Sequence, residues 1–221
     1  MTGGFAAPGA AAPGRPGRSR RRGVVVSLLA QALGTWLAAR RPGWFWPVQG
    51  LALIGGGLVA WGGGAGRTRP RRAALGRAAG VGAGWYAVIA GAARLVLATD
   101  RGRGMLADVE RRRGSAPLGW RLAILPLAAA GEELVWRGQV LSACRDRLGP
   151  IRGGAVATLL GAGVQLLAAN PLFPSAAAGW GAVAVGLSDR EQGVWPAIAA
   201  HAVWSTLALG WPGLPGRARR A

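Results

Sequence analysis

Two adjacent carboxylates, Glu132 and Glu133, follow the apolar run Leu122–Ala130, and Arg137 follows them in the stretch Gly-Glu-Glu-Leu-Val-Trp-Arg-Gly. The other six of the eight acidic residues fall in loops or near the ends of apolar runs. An ionisable side chain inside an apolar span costs about 2.5–3.5 kcal/mol on insertion scales, so one that sits there is a candidate for chemistry. On a helix, Glu133 and Arg137 are spaced i, i+4 and meet on one face, which neutralises that carboxylate. Glu132 is turned about 100° away by the helical repeat. With no cation of its own it is free to act as a general base or acid. A purely structural reading, a charge network bracing a helix end, fits the Glu133–Arg137 pair better than it fits Glu132.

The chain has one histidine, His201, in the apolar stretch Trp-Pro-Ala-Ile-Ala-Ala-His-Ala-Val-Trp-Ser. Ser205 lies at i+4, on the same helical face. Alone, a histidine on an apolar face is most often a satisfied core residue. Beside an embedded glutamate it gains the means to activate water or to bind a metal, so Glu132 and His201 are also the candidate metal ligands if a divalent ion such as zinc is bound.

Such residues need apolar elements to hold them, and the composition supplies these. Of 221 residues, 51% are apolar, carried by Ala, Leu and Val rather than by Phe or Met, and 39 more are Gly. Small residues at that level suit closely packed membrane helices. A soluble Ala/Gly-rich domain would need amphipathic helices with charged faces, which the long apolar runs lack. All 27 basic residues are arginine, and the net charge is +19. Clustered on one face, that charge would point to nucleic acid. Here the arginines flank the apolar runs, as topology signals do, and the partner they suit is an anionic lipid surface. Trp44, Trp46, Trp120, Trp195 and Trp211 stand near segment ends, where indole favours the interface. A single cysteine, Cys144, excludes an internal disulfide and reads as a packing residue.

The expected architecture is all-α: a polytopic integral membrane helical bundle of about seven transmembrane helices, six to eight. A span needs about 20 mostly apolar residues. The candidates are roughly 24–40, 44–65, 79–98, 119–136, 154–173, 175–188 and 194–211, the first and sixth being short. Residues 1–23 read as a disordered basic tail, 24–211 as the membrane domain, and 212–221 as a second basic tail. The run Val24–Ala39 leads into Arg40 and Arg41 without a cleavage signature, so an uncleaved first span is expected rather than a signal peptide. Residues 66–78 read as an Arg/Pro loop. Residues 100–118 mix Asp, Arg and apolar types, as an interfacial helix or loop does. Asn170, before Pro171, reads as a cap.

Glu132-Glu133-x-x-x-Arg137-Gly138 resembles the first motif of the CPBP intramembrane proteases, the CAAX protease and bacteriocin-processing family. Arg145, Arg147, Leu148, Gly149 and Pro150 continue the likeness, and Gly193-Val194-Trp195-Pro196-Ala197 resembles the segment leading to the family's last motif. His201-x-x-x-Ser205 resembles that HxxxN motif with Ser for Asn. The likeness covers about residues 119–210, the expected protease-like core. It departs at the middle FxxxH motif: Gln165 stands 33 residues after Glu132, where the histidine is expected, and Gly161 stands for the Phe. Gln can hydrogen-bond a water but cannot take its proton, and it is a poor metal ligand beside imidazole.

The resemblance implies hydrolysis of peptide bonds in membrane-associated proteins, within or near the bilayer, and an integral membrane location, with a bacterial plasma membrane expected. Glu132 would be the general base. His201 and Ser205 would stabilise the oxyanion or hold the water, Gln165 would position water, and Glu133 and Arg137 would brace the helix. The alternative is a catalytically inactive scaffold or immunity-type protein of the same fold. The expected partners are the lipid bilayer and a membrane-associated peptide or protein, not nucleic acid. A small transporter using Glu132 and His201 as a proton path lacks the paired broken helices of such folds.

Overall fold

In the computed structural model, residues 18–67, 71–191 and 193–210 are described. The two basic tails fall mostly outside them, as does Trp211. The described residues are helical, with no strand among them. The α-helices are α1 (Arg18–Arg40), α2 (Gly50–Gly62), α3 (Arg72–Val96), α4 (Asp100–Gly114), α5 (Leu118–Glu133), α6 (Leu141–Leu148), α7 (Pro150–Gln165), α8 (Leu172–Arg190) and α9 (Trp195–Ser205). Wider π turns run into α2 (Phe45–Gln49), join α5 to α6 (Leu134–Val140) and extend α9 (Thr206–Gly210).

Four helical stretches among the described residues are long and apolar enough to cross a membrane: Arg22–Arg40, Pro42–Gly62, Arg72–Val96 and Pro150–Ala168. At 1.5 Å per residue, α3 is about 37 Å long, more than the roughly 30 Å of a bilayer's hydrocarbon core. The apolar faces of these helices look outward. Val25, Leu29, Leu51, Leu58, Leu95 and Leu159 are all more than half exposed, a display that lipid tolerates and water does not. The stretches expected around α5, α8 and α9 are apolar too, but they are shorter or carry charges at their ends.

Polar contacts gather at the two ends of the bundle. At one end Arg77 pairs with Glu191 and Arg145 with Asp189, and the Trp195 indole donates to the Gly66 carbonyl. At the other, Arg112 donates to the Ala168 carbonyl and Asn170 to Met105 O and Asp108. Two expectations need correction there. The Arg/Pro loop is shorter than 66–78, because α3 begins at Arg72 and buries Ala74 and Ala78 against neighbouring helices. Trp46 is not an interface anchor: it is 3% exposed, and its indole donates to the Arg113 carbonyl. Asn170 does cap, its side chain accepting from the Leu172 amide. The stretch 100–118 is largely helical: Thr99 caps α4 by accepting from the Gly102 amide, while Leu106 and Val109 face the bundle.

Glycine sets how closely the helices meet. A Cβ on Gly131 of α5 would sit 2.2 Å from the Leu53 carbonyl oxygen of α2, and one on Gly82 of α3 would sit 2.2 Å from the Ala200 carbonyl oxygen of α9. Such contact is where van der Waals packing, the main attraction between helices in lipid, is strongest. Gly149, at φ 77°, turns the chain after α6, and Pro150 opens α7 with its φ already set for a helix.

Gly131→Ala therefore forces α5 off α2. The expected cost is about 1–3 kcal/mol, read in detergent as a Tm lower by about 2–4 °C for each kcal/mol. Gly80→Ala, where a Cβ meets nothing within 4 Å, is the control and leaves Tm unchanged.

Candidate functional site

The site is built around the end of α5. There the α-helix passes into the π turn Leu134–Val140, an irregularity that recurs at functional sites. Glu133 is fully buried, and hydrogen-bonding groups converge on its Oε1 while Oε2 faces the Arg137 cation. Arg137 Nε lies 3.1 Å from Oε2, and an Arg137 NH group donates to Oε1 at 3.2 Å. The Trp180 indole of α8 donates to Oε1 at 2.8 Å, and His201 Nδ1 of α9 is 2.6 Å from the same oxygen. One carboxylate thus ties α5, α8 and α9 together, and the i, i+4 pairing expected from spacing is present.

Glu132, one residue earlier, turns the other way, as the helical repeat requires. Its side chain is 19% exposed, against none for Glu133. It lines a cavity of about 370 Å³ together with Gln165 at the end of α7 and His201 and Ser205 on α9. The four candidate residues, as much as 73 residues apart in the sequence, therefore share one chamber. Glu132 Oε2 is 3.9 Å from His201 Nε2. The remaining wall is almost wholly apolar, with Trp46, Leu53, Val88, Ile89, Leu106 and Phe173 among its residues. Such a chamber suits an apolar ligand presented to a few polar groups.

The histidine ring is held at Nδ1 and by two aromatic rings. It lies parallel to the Trp204 ring (interplanar angle 5°, centroids 5.2 Å apart) and 5.1 Å from the tilted Trp180 ring. Ser205 is 4% exposed and sits a turn beyond His201 on the cavity face. Sequence reasoning missed Trp180 and Trp204. Trp180 stands in an Ala/Gly run whose spacing marks nothing, and only its hydrogen bond reveals it. Trp204 adjoins Ser205 in the sequence, which was the available signal.

The donor set does not fit a zinc centre. Catalytic zinc takes three protein ligands. The cavity offers one carboxylate, Glu132, and one imidazole nitrogen, Nε2, because Nδ1 and Glu133 are engaged with each other. No group of three His, Cys, Asp or Glu side chains among the described residues is disposed to hold a metal.

Residues 114–207 match the family model described as Type II CAAX prenyl endopeptidase Rce1-like. No curated protein and no solved structure matches the chain.

Arg137→Leu leaves a buried carboxylate without its cation, a change that costs about 3–5 kcal/mol. Its expected outcome is a Tm lower by at least about 6 °C in detergent. Glu132→Gln, at the cavity wall and outside that ion pair, is expected to leave Tm within about 2 °C of the native value.

Proposed function

We propose that this chain, which matches the Rce1-like family of CAAX prenyl endopeptidases over residues 114–207, is an intramembrane endopeptidase of the CPBP type that hydrolyses membrane-associated protein substrates. The observation that carries the reading is the convergence of Glu132, His201, Ser205 and Gln165 on one mostly apolar cavity. Family and exposed apolar helices agree on an integral membrane protein. The finer expectations, about seven spans and a bacterial plasma membrane, belong to the same proposal. So does the division into a membrane domain over 24–211, a protease-like core over 119–210 and two basic tails.

Peptide hydrolysis needs a base for water and donors for the oxyanion. Glu132 is the base: it faces the cavity, and the charge beside it, Glu133, is neutralised by Arg137 rather than competing for a proton. Ser205 supplies a hydroxyl donor on the wall shared with His201. Gln165, with an amide that both donates and accepts, orients the water without taking its proton. Glu133 and Arg137 hold the frame. No step is routed through a metal, since the donor set falls short of one.

The rival reading, an inactive scaffold or immunity-type protein of the same fold, is favoured by one observation, the glutamine at position 165 where the family's histidine is expected. A cleavage assay in liposomes on a panel of membrane peptides separates the two. The native chain is expected to cleave, and Glu132→Ala to lower kcat by about 10²–10⁴-fold, the worth of a general base. Chelator is expected to leave the rate unchanged. A silent native chain that gains activity as Gln165→His would establish the scaffold instead.

A further inference from the structure

We propose that Glu133 fixes the proton of His201 on Nδ1, so that Nε2 is a lone-pair acceptor which works beside Glu132 as the second proton acceptor of the hydrolytic site. This rests on the peptidase reading and assigns its proton route. It also changes the role of His201, from oxyanion donor to base.

Glu133 is paired with Arg137 and accepts the Trp180 N–H, so its oxygens are acceptors only. His201 Nδ1 lies 2.6 Å from Oε1 of that carboxylate. Two lone pairs at that distance would repel, so Nδ1 carries the hydrogen. In the neutral ring the other nitrogen is then bare. It faces Glu132 Oε2 at 3.9 Å, too far for a direct bond and close enough for one oxygen to contact both. A water there meets two acceptors and offers each an O–H.

The water oxygen bonds to the scissile carbonyl carbon, and the carbonyl π pair moves to its oxygen, where the Ser205 hydroxyl donates. One water proton passes to Glu132, and the hydrogen left on the attacking oxygen bonds to Nε2. When the tetrahedral species collapses, the C–N bond breaks and the amine nitrogen takes the proton from Glu132. Nε2 accepts the remaining hydroxyl proton, which leaves the acid product as a carboxylate, and then passes it to the departing amine, so both bases return to their starting state. While Nε2 holds its proton, the imidazolium is stabilised by Glu133 behind it and by the Trp204 face stacked against it. Glu133 and Trp180 are positioning residues in this scheme. His201 touches the reacting water.

The single histidine makes the test direct. In chain labelled with ¹⁵N-histidine and held at a pH where the ring is neutral, the two ring nitrogens belong to His201 alone. The pyrrole-type signal is expected on Nδ1 and the pyridine-type signal on Nε2. Glu133→Gln, which can donate to Nδ1, is expected to move the hydrogen to Nε2 and to lower kcat by about 10³–10⁴-fold, as the equivalent change does in hydrolytic triads. Should that variant not fold, Trp180→Phe removes one hydrogen bond to Glu133 and leaves the ion pair and an aromatic ring in place. It is expected to lower kcat about tenfold with KM held. A native chain that cleaves peptides but carries the hydrogen on Nε2 overturns the inference and leaves the peptidase standing. The expected tautomer in a chain that cleaves nothing, native or variant, overturns the peptidase and with it the role of Nε2.

Discussion

A buried carboxylate organises this molecule. Glu133 has no access to solvent, and a charge in that position is tolerated only when its lone pairs are filled. Arg137 supplies the cation from the same helix, a turn away. The remaining donors come from elsewhere: Trp180 from α8 and His201 from α9. Removing water from Glu133 therefore obliges three helices to meet in one register. That register is what brings Glu132, on the adjacent face, to the same cavity as His201 and Ser205.

The division of labour between two neighbouring glutamates follows from helix geometry. Identical side chains separated by about 100° cannot share an environment. One is consumed by the ion pair and the aromatic N–H. The other is left at a chamber wall with a base beside it. Environment alone separates the two roles. The aromatic rings add direction: with Trp204 parallel to the imidazole and Trp180 tilted beside it, the ring cannot rotate freely about its bond to the backbone.

The bundle around the site is held by close approach of backbones rather than by large side chains. Gly131 against Leu53 and Gly82 against Ala200 bring α2 to α5 and α3 to α9 at distances that leave no room for a methyl group. In lipid, where burying apolar surface gains little, this is the packing available. The second of these contacts lies next to His201, so the tightness of the bundle and the precision of the site are one property. At the bundle's end α4 closes over the cavity, its Leu106 and Val109 turned inward while Arg112 holds the Ala168 carbonyl.

The sequence alone marked which residues are candidates for chemistry and what kind of element they stand in. Long apolar runs bounded by arginine suit membrane helices, because a span in lipid must satisfy its backbone polar groups internally. Charges inside such runs are costly enough that Glu132, Glu133 and His201 stand out without further information. The i, i+4 spacing foretold the Glu133–Arg137 pair, since that contact is local. Tertiary structure decided everything that depends on helices distant in sequence. His201 bonds Glu133 rather than Glu132, Trp180 belongs to the site, Trp46 is buried, and Gln165 reaches the same chamber as Ser205. Local periodicity says which face of a helix a residue occupies, but not which other helix that face will meet. That is fixed only when the glycine contacts and the buried carboxylate lock the bundle.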